Sequence, residues 1–289
     1  MKHRIAIPIL LVALVALVTL ACGITVDLKT DVKTGPTQVA EISVPFLNPP
    51  SDTADVVLSF GAGTLNIDPS GGDALIKGSA TFNVADFRPE VSIDGNEIKV
   101  EQGSLNLGGI PSFTDDLIND WVLSFGKAPM ELEVNAGAYA GRFELGGLSI
   151  QRLEINDGAA EVQVTFSQPN PVEMSLFKYS TGASNIKLGG LANANTSQLI
   201  FRSGAGVYTL DFSGELTRDM TVTIESGVSS ITIIVPSNTS TVLTTNGLLT
   251  VTAHDSWHQD DNIYTVTADG PTITIEVDMG AGNLILETR

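Results

Sequence analysis

At 289 residues, with 17% charged side chains and a formal charge of −18, the chain can hold one large β domain or two smaller ones, and its acidity excludes a role that depends on gripping nucleic acid or anionic lipid head groups. Abundant Gly, Ser, Thr, Val and Ile favour strands and turns over helical bundles. Cys22 is the only cysteine, so no intramolecular disulfide can form.

The chain opens with Lys2 and Arg4, then the apolar run Ile5 to Ala21, then Cys22. This is the order of a secretory signal, so residues 1–21 are expected to be removed. As a membrane span the run is short and carries Pro8. Loss of Lys2 and Arg4 takes the mature chain to about −20. Leu20-Ala21-Cys22 resembles the lipobox of bacterial lipoproteins, although Thr19 and Leu20 depart from its commonest form. The resemblance implies that Cys22 is acylated and becomes the mature N-terminus, anchored on the extracytoplasmic face of a bacterial membrane. Several acyl chains at about 0.8 kcal/mol per buried methylene would hold it there.

Residues 22–41 have no core-like apolar density and read as a tether. Ile42 to Phe46 reads as an edge strand, where Pro45 is tolerated. In Val56 to Ile67, apolar residues alternate on both sides of Gly61-Ala62-Gly63, which predicts one buried face. Short strands follow at residues 74–83, 90–94 and 97–101, with Asp94-Gly95-Asn96 as a hairpin turn. Asp115 to Trp121 is either one helical turn after Thr114 or, the better fit, a loop into Trp121-Val122-Leu123. Residues 42–129 are therefore expected to form an N-terminal β cap.

From Met130 the alternation is regular, and the glycines at 137, 158, 182, 204, 227 and 247 recur every 20 to 24 residues. That is the period of a solenoid, expected over residues 130–289. The longer step to Gly280 predicts an insertion in one rung around residues 253–261. Short strands with one apolar face cannot bury it alone, so rungs stack into a continuous interior. Gly61, Gly158, Gly182, Gly204, Gly227 and Gly280 mark the corners. There glycine supplies either a positive φ or a close backbone approach. Ala62, Ala159, Ala183, Ala205 and Ala281 follow them, as expected if only a small side chain fits inside the bend.

Leu58-Ser59-Phe60-Gly61-Ala62-Gly63, Asn119-Asp120-Trp121, Pro129 to Val134, Gly146-Gly147-Leu148, Leu153 to Val162 and Met279-Gly280-Ala281-Gly282 together resemble the toast-rack domain family. The family occurs in adhesin-like bacterial proteins and in the extracytoplasmic part of LiaF-like envelope-stress proteins. The resemblance covers about Val44 to Glu287 and implies an all-β, right-handed β-helix-like solenoid. The chain lacks the several membrane spans of LiaF-like proteins.

Little of the sequence points to chemistry. His254 and His258 could share a helical face as zinc ligands, but nothing else nearby reads helical and no Glu adjoins either histidine. A polar loop in which Trp257 covers the core is the simpler reading. There is no nucleophile elbow or phosphate-binding loop. The acidic pairs Asp115-Asp116, Asp260-Asp261 and Glu131 with Glu133 fit a solvated surface. The expectation is a non-enzymatic, lipid-anchored envelope protein without cofactor, binding protein or glycan for adhesion. The alternative is an envelope-stress component acting through a membrane partner.

Overall fold

The computed structural model describes residues 29–31, 33–49, 52–103, 110–112 and 117–289. The signal segment and Cys22 lie outside the described residues. The chain divides into two compact units, Met1–Lys33 with Asn106–Asp116, and Thr34–Leu105 with Leu117–Arg289. In chain order the strands are β1 (Lys29–Asp31), β2 (Gln38–Val44), β3 (Ala54–Asp68), β4 (Ile76–Phe82), β5 (Pro89–Asp94), β6 (Glu97–Gln102), β7 (Ile110–Ser112), β8 (Asn119–Phe125) and β9 (Met130–Glu144). They continue with β10 (Ile150–Thr165), β11 (Leu176–Gly189), β12 (Gln198–Asp211), β13 (Met220–Val235), β14 (Ser240–Ala253), β15 (His258–Asp260), β16 (Ile263–Val266) and β17 (Thr272–Thr288). In the smaller unit the described part is the parallel pair β1 and β7.

The larger unit is one 15-stranded sheet, and its body is a parallel stack of the long strands β3, β9, β10, β11, β12, β13, β17 and β14. Each long strand except β14 buries alternate residues, then changes parity and buries them again. In β11, Phe177 and Tyr179 are buried before the corner, and Ile186 and Leu188 after it. Residues seven apart in a straight strand face opposite ways and stand roughly 23 Å apart. In β12, however, the rings of Phe201 and Tyr208 meet with centroids 5.1 Å apart. The strand therefore turns back on itself, and both limbs bury their apolar residues in one interior. Stacking lines these residues into columns such as Val162, Ile186, Tyr208, Ile231 and Leu284. Gly141 interrupts this column, and the Tyr139 ring lies 2.8 Å from where its Cβ would be.

At the corner the structure decides between the two roles open to glycine. A Cβ on Gly204 would stand 2.6 Å from the Gly182 carbonyl oxygen, and one on Gly182 only 2.4 Å from that of Gly158. The same approach continues from Gly227 to Gly204 and from Gly280 to Gly227, and none of these glycines has positive φ. Close backbone approach is the reason for glycine here. The expectation for the following alanines is corrected. Ala159, Ala183 and Ala205 are exposed, and Val228 and Leu248 occupy the same column at 65% and 79% exposure. Their side chains lie outside the bend, so no steric limit selects alanine.

Three boundaries differ from expectation. β2 begins at Gln38 and pairs antiparallel with β4, so the large sheet takes in residues before 42. The stack begins at β3, whose residues Ala54 to Ile67 pair with Met130 to Phe143. The chain between β3 and β9 closes the end: β6 continues one limb of β3, and β8 the other. Asn119 to Phe125 is a strand, while residues 113–116 lie outside the described residues. The long step to Gly280 is not an insertion within a rung. After β14 the chain forms the β15–β16 hairpin, and β17 then returns between β13 and β14, parallel to both.

Candidate functional site

The corner carries a polar seam along a mostly apolar stack. Its column reads Phe60, Ala136, Asp157, Thr181, Ser203, Ser226 and Met279. Asp157 accepts hydrogen bonds from the Tyr179 hydroxyl at 2.6 Å, the Tyr139 hydroxyl at 3.4 Å and the Thr181 hydroxyl. Thr181 also meets Ser184 at 2.5 Å, and Ser203 meets Ser226 at 2.8 Å. Burial pushes the Asp157 carboxyl above its ordinary value, and the three hydroxyls only partly offset this. Burial likewise pushes Tyr139 and Tyr179 upward. A carboxyl whose folded pKa is raised contributes stability below that pKa and loses it as pH rises through it. Asp157→Asn should therefore flatten the pH dependence of urea unfolding as pH rises above the ordinary carboxylate pKa of roughly 4. A variant that kept the wild-type slope would show that Asp157 does not titrate in the seam.

The limbs also present two outer faces of opposite character. On the N-terminal limbs Asp55, Glu131, Glu133 and Glu154 lie close to Arg152. Burial pushes the Glu154 carboxyl up, but Lys178 at 3.1 Å and Arg152 outweigh it and leave it below its ordinary value. Glu225 pairs with Arg202 at 2.9 Å. These cations are already matched to acids.

On the C-terminal limbs of β3, β9, β10 and β11 there is a hollow of about 270 Å³. Its floor is Gly141 and Val162, and its walls carry Asn66, Gln163, Asn185, Arg142, Lys187 and Glu161. The hollow exists because outward-facing Ala140 offers only a methyl between Thr64 and Glu161 on the neighbouring rungs. Arg142 and Lys187 form no ion pair among the described residues. Amides, Thr64 and two uncommitted cations suit a ligand bearing hydroxyl and carboxylate groups.

A family model described as the N-terminal domain of toast_rack matches residues 28–176, just over half of the chain. The chain belongs to the toast-rack family. The match spans the cap and the first rungs and ends where β11 begins. Among solved structures, a candidate cell adhesion protein of Clostridium sporogenes is 17% identical, with a TM-score of 0.48 over 88% of this chain and 100% of that one. A candidate adhesin of Bacteroides fragilis is 10% identical, TM-score 0.33, over 89% and 99%. A candidate lipid-binding protein of Parabacteroides distasonis is 9% identical, also at 0.33, over 89% and 99%. At these levels none carries an argument about what this chain binds. No curated protein matches it.

In this toast-rack chain the residues of the His254–Asp261 stretch are spread over a turn and a hairpin. His254 follows β14, and its Nδ1 lies 2.8 Å from the Ser256 hydroxyl and 3.0 Å from that of Thr288. His258 starts β15 and is exposed. The two histidines do not share a helical face, and among the described residues no three His, Cys, Asp or Glu side chains converge as a metal site. Ser256 and Thr288 both meet the same His254 nitrogen, Nδ1, whereas a hydrolytic triad sets its hydroxyl and its carboxylate on opposite ring nitrogens. Trp257 is buried to 6% exposure amid exposed neighbours. Asp260 and Asp261 are exposed at the hairpin turn.

Sequence reasoning missed a clasp at the first corner. Asn119 Nδ2 donates to the Ala62 carbonyl at 2.6 Å and to Gln102 Oε1 at 2.8 Å, and Gln102 Oε1 also accepts from the Gly61 amide at 2.9 Å. The Asn119-Asp120-Trp121 motif carried the signal, but its target, a corner carbonyl 57 residues away, is visible only in the fold.

Proposed function

We propose that the chain is a non-enzymatic, lipid-anchored protein of the bacterial envelope whose C-terminal-limb hollow binds an acidic glycan or protein segment. The observation that carries this reading is that Arg142 and Lys187, which form no ion pair among the described residues, share one hollow with amides, a hydroxyl and the single acid Glu161 on a chain of charge −18. An acidic protein that leaves two cations uncommitted in one concavity offers them to an anion. The Ser256 and Thr288 hydroxyls on one nitrogen of His254 and the exposed Asp260-Asp261 pair support a binding role over catalysis. Lys2, Arg4, the apolar run and Leu20-Ala21-Cys22 support the anchor.

The test uses a uronic-acid oligosaccharide, its neutral analogue and whole bacterial cells. The wild type should bind the acidic ligand, or the cells, at least about tenfold more tightly than the Arg142→Glu/Lys187→Glu variant, a difference of about 1.4 kcal/mol. Equal binding by the two proteins would remove the hollow from the account. Separately, Cys22→Ser should release the protein from the membrane fraction, and retention would refute the lipid anchor.

A further inference from the structure

A stack of bent strands ends in four limb edges, two at each end, and a bare edge is a template for another strand. Three of them are closed. β6 and then β5 lie along one limb of β3, while β8, β4 and β2 lie along the other. At the far end β16 and then β15 cover Thr241 to Thr244 of β14. Thr245 still exchanges hydrogen bonds with Asn262, at 3.0 Å each. Beyond it no strand among the described residues pairs with the outer edge of β14.

The open edge has measurable consequences. Val251 and Ala253 stand in register with Leu284 and Leu286, which are buried to 0% and 1%, yet Val251 is half-exposed and Ala253 exposed. Leu248 is 79% exposed. The other outermost strands carry charge or proline that discourages pairing: Glu41 on β2, Pro89 and Glu90 on β5, Asp260 on β15. From Thr239 to Ala253 there is neither a charge nor a proline.

We propose that Asn246 to Ala253 is the seat of a two-fold dimer, in which this limb pairs antiparallel with the same limb of a second copy. The charge pattern identifies the occupant. Copies of an acidic chain repel one another wherever their acids meet, and this edge carries none. It also offers no acid to a basic partner. With the two-fold axis at Thr250, inner and outer faces match. Leu249 then faces Val251 of the second copy on the inner side, and Leu248 faces Thr252 on the outer. The pairing is closed, so it ends at two copies, and it satisfies the free backbone groups of both edges.

Sedimentation velocity of the full chain in mild detergent tests this. A monomer–dimer equilibrium is expected that shifts toward dimer as salt rises, because salt screens the repulsion between acidic copies. Thr250→Lys should raise the dissociation constant at least about tenfold, since it sets two ammonium groups face to face. Thr250 is exposed, so the variant should melt as the wild type does. In the wild type, amide exchange over residues 246–253 should slow as concentration rises. A monomer at all concentrations, a dimer indifferent to Thr250→Lys, open-ended polymers, or exchange that ignores concentration would each overturn the proposal.

Discussion

Gly204→Val should lower the stability of the stack by about 3 kcal/mol and its melting temperature by roughly 6–12 °C. The Cβ would stand 2.6 Å from the Gly182 carbonyl oxygen and 3.4 Å from its carbonyl carbon. Both are backbone atoms held by the ladder and cannot swing aside as a side-chain tip would. The cost arises from overpacking between neighbouring rungs, because Gly204 has no positive φ. The effect should therefore be graded along the column. Gly182→Ala, at 2.4 Å from the Gly158 oxygen, should cost more than Gly158→Ala, at 3.0 Å from that of Gly137. Ala205→Val, one residue further on, should stay within about 0.5 kcal/mol, because Val228 already occupies that column on the next rung. Thermal unfolding of the four variants is the check. A costly Ala205→Val beside a harmless Gly204→Val would reverse the assignment of which side faces the neighbouring rung.

Trp121→Ala should cost about 3–5 kcal/mol. Trp121 is 1% exposed, its ring meets Phe60 edge-on at 5.4 Å, and its Nε1 donates to Asn119 Oδ1 at 3.1 Å. Asn119 in turn reaches Gln102 and the Ala62 carbonyl, so removing the indole leaves a cavity and loosens the clasp that ties β8 to the first corner. Trp257→Ala should cost less. Trp257 is 6% exposed, and its buried indole Nε1 has no hydrogen-bond partner among the described residues, so the alanine removes an unsatisfied donor together with the ring. Urea unfolding separates the two. Equal losses would mean that the clasp adds nothing beyond ring burial.

Alternation and recurrence made the β class, the stacking and the corner glycines legible, because period two and a repeat of 20 to 24 residues have few physical solutions. The role of Gly204 was not legible, since positive φ and close approach select the same residue. The order of the last rungs was hidden for a related reason. Gly247 continues the sequence spacing, yet a strand that returns by a hairpin can take an inner place in the ladder, as β17 does beside β13. Ala205 misled because small residues suit both the inside and the outside of a bend, and only the register with Val228 distinguishes them. The hollow depends on Ala140 and on which outer residues share a face across rungs. Arg142 and Lys187 are 45 residues apart in sequence and come together only through the registers of β9, β10 and β11. The seam around Asp157 was similarly hidden, because Tyr139 and Tyr179 reach it from neighbouring rungs.

The central claim is that one glycine column runs through the stack by backbone contact, and that its last step goes from Gly227 to Gly280 and not to Gly247. Nuclear Overhauser contacts between glycine α-protons in selectively labelled protein test it most directly. The account predicts cross-peaks linking Gly158 to Gly182, Gly182 to Gly204, Gly204 to Gly227 and Gly227 to Gly280. A Gly227–Gly247 contact in place of Gly227–Gly280, or no contact between successive corner glycines, would contradict it.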